Sequence, residues 1–89
     1  MGKHYVYIVR CRDGTFYAGY AVDLAKRVAQ HNAGKGAKYT RGRRPVVLVY
    51  WEEFSSRSEA QRREKALQKR DRAEKARLVA AFAQTRAGE

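Results

Sequence analysis

YVYIVRCRDGTFYAG, residues 5 to 19, holds two short runs of β-branched and aromatic residues separated by Asp13-Gly14. Asp-Gly between such runs is a strong hairpin signal, because a tight turn needs a residue that accepts positive φ. The first run, Tyr5 to Cys11, is therefore expected to pair antiparallel with a second, Phe16 to Gly19.

The rest of the chain hangs on that hairpin. Asp23 is placed to cap a first helix, with Leu24, Val28 and Ala29 as its apolar stripe, running to about Ala33 before Gly34 ends it in the left-handed region. Residues 34 to 44, GKGAKYTRGRR, hold five basic residues, three glycines and one tyrosine without periodicity, and read as a mobile basic loop. Pro45 can open a strand, and VVLVYWEEF from Val46 is too apolar at its start for an exposed edge, so it is expected to pair with the hairpin. Ser56 with Glu59 and Asp71 with Glu74 have capping-box spacing, which starts helices near residues 57 and 72. The expected order is β-β-α-β-α-α, an α+β fold in one domain over residues 1–84, with the terminal TRAGE frayed.

Composition narrows the partners. A chain of 89 residues has room for one modest core. Its 20 Lys and Arg against 9 Asp and Glu leave a net charge of +11, which favours a polyanion, nucleic acid first. Membrane is expected to play no part, since the longest apolar run, Val46 to Trp51, is strand-sized and a span needs roughly 20 residues. There is no secretory signal pattern, and Val6 spoils the myristoylation pattern of the Met-Gly start. A single cysteine, Cys11, allows neither an internal disulfide nor a thiolate metal cluster, which points to a reducing, cytoplasmic setting.

Three groups of residues could carry chemistry. Arg27 and His31 share a face of the first helix beside its apolar stripe. On the second helix Ala60, Glu64 and Leu67 follow i, i+4, i+7, which turns one carboxylate inward. It then needs a partner, an Arg or a divalent metal, because a buried lone charge is costly. Mg²⁺ is often held by one or two carboxylates with water and substrate phosphate completing its shell. The basic loop lacks the G-x-x-x-x-G-K-[ST] pattern of nucleotide hydrolysis. Lys35, Lys38, Arg41, Arg43 and Arg44 with Tyr39 suit contacts to a nucleic-acid backbone and one stacked base.

YVY at 5 to 7, YAG at 17 to 19, D-L-x-x-R-x-x-x-H from Asp23 to His31 and A-x-x-x-E from Ala60 to Glu64, in that order, resemble the GIY-YIG nuclease family. GKGAKYTRGRRPV followed by an E-x-F turn is similar to its small stand-alone bacterial members. The resemblance implies a three-stranded antiparallel sheet flanked by helices. It also implies a site of Tyr7, Tyr17, Arg27, His31 and Glu64, with Glu64 holding Mg²⁺ or Mn²⁺ and Gly19 allowing close approach of backbone or substrate. The implied activity is metal-dependent phosphodiester hydrolysis in nucleic acid, in DNA repair or processing; the substrate is expected to be DNA before RNA, single-stranded or branched, and the chain a monomer. The chain departs from that family's pattern in Tyr20-Ala21, where many members carry Lys or a hydroxyl residue, and in YVY for GIY.

An unperturbed tyrosine is about 0.1 per cent ionised at pH 7, roughly 4 kcal/mol short of a ready base. Tyr7, Tyr17 or His31 could serve as the base, His31 directly or through Tyr17, and the resemblance favours Tyr17 slightly. Two other functions use the same charge: a non-catalytic nucleic-acid-binding module with a vestigial site, and an interaction domain for an acidic protein.

The hairpin register decides whether the two motif tyrosines can meet. A two-residue turn at Asp13-Gly14 would pair Tyr7 with Tyr20 and put Tyr7 and Tyr17 on opposite faces. A three-residue loop, Arg12-Asp13-Gly14 with Gly14 in a left-handed bulge, pairs Cys11 with Thr15, Tyr7 with Gly19 and Val9 with Tyr17. Only the second lets both serve one site, so the bulged loop is expected.

Overall fold

A computed structural model describes residues 2–87. Three strands, β1 (His4–Arg10), β2 (Phe16–Ala21) and β3 (Val47–Phe54), form one antiparallel sheet in the order β2-β1-β3. The helices are α1 (Leu24–Asn32), a single turn α2 (Lys38–Arg41), α3 (Arg57–Gln68) and α4 (Arg72–Ala87).

The hairpin takes the bulged register. Cys11 N–H donates to Thr15 O at 2.8 Å, Gly14 N–H donates to Cys11 O at 2.9 Å, and Gly14 has φ +85°. Tyr7 pairs with Gly19 and Val9 with Tyr17, so alternate residues of β1 and β2 sort cleanly to two faces. Val6, Ile8 and Ala18 face α3 and α4, packing with Tyr50, Ala60 and Leu67. Tyr7, Val9 and Ala21 face α1, packing with Tyr17, Leu24 and Val28.

The helix caps form where side-chain chemistry places them. The Asp23 carboxylate accepts from Lys26 N–H at 3.1 Å, and Gly34 follows α1 at φ +79°. Asp71 and Glu74 close a full capping box, whereas Ser56 Oγ accepts from Glu59 N–H and shares its other contact with Ser58.

Three expectations need correction. The stretch 34–44 is not a structureless loop: it carries α2, and Thr40 within it is fully buried. The third strand is an edge strand after all, with Val47 half exposed. Its apolar start is explained by Val46, which is buried and clamped to α1 by two hydrogen bonds with the Asn32 side chain, at 2.7 and 3.1 Å. Finally, α4 includes 85–87, which were expected to fray, while 88–89 lie outside the described residues. Phe82 packs against both Tyr50 and Trp51, and Arg86 lies 4.9 Å over the Trp51 ring, so this end of α4 has apolar surface to bury. No helix among the described residues is long and apolar enough to cross a membrane.

Candidate active site

The α1 face of the sheet carries the polar cluster. Tyr7 is central on β1 and only 1 % exposed. It owes its position to the register, because a Cβ on its partner Gly19 would sit 2.5 Å from Tyr7 Cζ. Only a residue without a side chain leaves the phenol room to lie across β2.

The Tyr7 hydroxyl is 2.7 Å from His31 Nε2, and His31 Nδ1 is 2.8 Å from Thr40 Oγ1. Thr40 Oγ1 is also 2.9 Å from Ala37 O, a carbonyl that can only accept. The one hydroxyl proton of Thr40 therefore goes to Ala37, and His31 must donate from Nδ1. Nε2 is left as the acceptor of the Tyr7 O–H, in a neutral imidazole. Burial agrees with that state, since it and the Arg27 charge push the His31 pKa below its ordinary value. Burial also drives the Tyr7 pKa up to about 12, with the Arg27 guanidinium pulling the other way.

Tyr17 is the outer tyrosine. Its ring stands edge-on to His31, with centroids 5.6 Å apart, and stacks on Tyr39 of α2 at 5.7 Å. Burial and the charge of Glu64 raise its pKa, opposed by Arg27. The expected route from His31 through Tyr17 is not the one formed, because the hydrogen bond runs to Tyr7. The His31 ring is fully buried, with Nε2 engaged by Tyr7 and Nδ1 by Thr40.

Arg27 and Glu64 reach the tyrosines from different helices. Arg27 Nη1 donates to Gln30 at 3.2 Å, while its Nε is buried without a hydrogen-bond partner among the described residues. Glu64, on α3 between buried Ala60 and Leu67, is half-buried and accepts from Gln68 at 3.3 Å. Gln68 also donates to Ala18 O of β2 at 3.2 Å, which fixes α3 along that strand. Burial raises the Glu64 pKa, with Arg27 and Lys65 opposing. Among the described residues Glu64 forms no ion pair, so the Glu–Arg bridge that could have explained its inward position is not made.

No group of three or more His, Cys, Asp or Glu among the described residues could cage a metal. Glu64 alone fits the sparser arrangement, one carboxylate with water and substrate oxygens filling the remaining positions of a hard divalent cation.

The basic residues divide by their engagement. Arg43 is tied to the protein: it pairs with Asp13 at 3.0 Å, donates to Tyr39 O at 2.8 Å and stacks 4.1 Å over the Tyr39 ring. Arg44 donates to Arg41 O at 2.9 Å and to Asn32 O at 3.4 Å. Lys35, Lys38 and Arg41 are exposed, and Arg12, Arg41 and Arg44 line one surface hollow with Asn32, Gly42 and Pro45. Tyr20, one of the departures from the family pattern, packs with the α3 face and hydrogen-bonds His4 at 2.7 Å.

Sequence reading missed Thr40 and Gly36. A Cβ on Gly36 would lie 2.7 Å from His31 Cγ, so the α2 loop presses its backbone on the imidazole. The only signal was the run of glycines and a lone Thr in a basic stretch, which has no periodicity to mark a buried residue.

A family model described as the GIY-YIG catalytic domain matches residues 3–77, and the chain belongs to the GIY-YIG family. Within it, the chain is similar to the UPF0213 proteins. That of Staphylococcus haemolyticus is 57% identical over 79 residues, 89% of this chain and 96% of that protein. The one from Halobacterium salinarum is 57% identical over 72 residues, 81% and 94% of the two chains. Two solution NMR structures share the fold. The UPF0213 protein BH0048 from Bacillus halodurans has TM-score 0.57 and 47% identity, covering 89% of this chain and 84% of that one. Protein EF2693 from E. faecalis has TM-score 0.62 and 42% identity, covering 94% and 90%.

Proposed function

We propose that this chain hydrolyses phosphodiester bonds in nucleic acid, DNA before RNA, with Mg²⁺ or Mn²⁺ held at Glu64 by water and a substrate phosphate oxygen. The observation that carries the proposal is a pair of incomplete groups. Among the described residues Arg27 has a buried Nε without a partner, Glu64 is a half-buried carboxylate without an ion pair, and the two do not satisfy each other. An unmade hydrogen bond at a buried donor costs about 1–3 kcal/mol, a cost a fold keeps where a ligand completes the group. A phosphate oxygen completes Arg27, and a divalent cation completes Glu64.

Arg27 then neutralises charge that builds on the phosphorus-bound oxygens. The metal, when bound, stabilises the leaving oxygen. Tyr7 oxygen accepts the proton of the attacking water as the Tyr7 proton moves to His31 Nε2. The opposed shifts of the two groups keep that proton on Tyr7 at rest, so it transfers only as attack proceeds. Tyr17 walls the outer side of the site, and exposed Lys35, Lys38 and Arg41 hold backbone phosphates. Neutralising three phosphates would give a salt slope of about −2.1 to −2.7 in log binding constant.

The raised pKa of both tyrosines favours a second reading, a nucleic-acid-binding module whose site no longer turns over. Glu64→Ala separates the two on a panel of labelled single-stranded, duplex and branched substrates with Mg²⁺ or Mn²⁺. Cleavage lost with binding retained supports hydrolysis. Wild type that binds and never cuts supports the module.

A further inference from the structure

We infer that Thr40 is a positioning residue: by giving its proton to Ala37 O and taking the Nδ1–H of His31, it sets the direction of the Tyr7–His31 hydrogen bond. Its use in catalysis rests on the hydrolytic reading above, whereas its effect on the imidazole does not.

The inference follows from counting protons along one buried chain of atoms. Ala37 O is a carbonyl and must accept at 2.9 Å, so Thr40 Oγ1 has no second proton to offer His31. His31 Nδ1, 2.8 Å away, therefore carries the hydrogen, and Nε2, 2.7 Å from Tyr7, carries the lone pair. Without Thr40, Nδ1–H would be buried without an acceptor, a cost of the kind that drives an imidazole to its other tautomer. His31 would then donate from Nε2 to the Tyr7 oxygen and could no longer receive its proton.

Neighbouring contacts hold this polarity. Thr40 and His31 are both fully buried, so water does not supply a substitute acceptor. Gly36 backs the imidazole, and Tyr39 and Arg43, the neighbours of Thr40, are held through Tyr17 and Asp13. The segment that bears the exposed cations Lys35, Lys38 and Arg41 thus also bears the hydroxyl that orients the buried histidine.

The test reads the tautomer directly, by long-range ¹H–¹⁵N correlation on the full ¹⁵N-labelled chain, which has only two histidines to assign. Wild type is expected to show His31 protonated at Nδ1. Thr40→Val is expected to move the proton to Nε2 and to slow cleavage about a hundredfold with nucleic-acid binding unchanged, and Thr40→Ser to restore both. A wild-type His31 protonated at Nε2, or a folded Thr40→Val that keeps Nδ1–H, overturns the inference. If Thr40→Val fails to fold, Thr40→Ala and the wild-type spectrum still decide it. Should wild type cut no substrate while the tautomer responds to Thr40 as described, the hydrolytic reading falls and the inference about His31 stands.

Discussion

The two faces of the sheet solve opposite problems with the same three strands. Toward α3 and α4, the fully buried positions are Val6, Ile8, Ala60 and Leu67, and the polar groups at the margin satisfy one another: the Tyr50 hydroxyl donates to Glu52, which pairs with Arg63 at 3.0 Å. Toward α1 and α2, Tyr7, His31 and Thr40 are buried as deeply, and the adjoining Arg27 and Glu64 are left incomplete. One face is closed chemically, and the other keeps a buried Arg27 Nε and a half-buried Glu64 carboxylate unpaired among the described residues. Strand β1 makes the division possible, since alternate residues of one central strand supply both faces.

The sharpest way to break the comparison is at Glu64, which belongs to a helix of the first face and serves the second. Glu64→Gln is expected to lower cleavage at least a thousandfold, about 4 kcal/mol in barrier. The same change is expected to raise the melting temperature, in the manner of a stability–activity trade-off. The sign follows from the raised pKa: a carboxyl that prefers its protonated form in the fold contributes stability at low pH and loses it as pH rises through the folded value. Thermal unfolding and a cleavage assay at pH 7 check both halves, and a loss in melting temperature would count against a ligand-ready carboxylate.

Leu67→Ala attacks the closed face one turn away. Its side chain is fully buried, so unfolding free energy should fall by about 2–5 kcal/mol in urea titration. The His31 tautomer of the folded variant should be unchanged, because Leu67 packs on the other side of the sheet.

Gly36→Ala attacks the open face through its backbone. The new methyl would overlap the buried imidazole, at a cost of about 1–3 kcal/mol in stability, and should shift the His31 ring resonances.

The smallest expected effect is that of pH. His31 has a folded pKa below its unfolded value, so the unfolded chain takes up more protons as pH falls through about 6.5. Stability is therefore lost on acidification from that point until the folded histidine also protonates. Unfolding free energy should be lower at pH 5.5 than at pH 7, with a smaller difference in His31→Gln.

Much of this architecture is legible in the sequence, because turns and caps are made by residues a few positions apart. Asp13-Gly14 marks the loop, Asp23 and Asp71 supply caps, and Ala60, Glu64 and Leu67 share one helical face. The GIY-YIG motifs likewise name Tyr7, Tyr17, Arg27, His31 and Glu64 as a group, and the fold brings these residues to one region of the sheet.

What the tertiary structure decided is which atoms answer which. His31 binds Tyr7 rather than Tyr17, Thr40 orients it, Arg43 and Arg44 are spent on tying the α2 segment to the protein, and β3 lies at an edge that Val46 anchors. Apart from the Arg44 bond to Arg41 three residues away, those choices join residues separated by 9 to 30 positions. Local patterning carries no record of such pairings, because a buried Thr and a surface Thr have the same letters around them. They are settled only when packing removes water and every buried donor must find an acceptor.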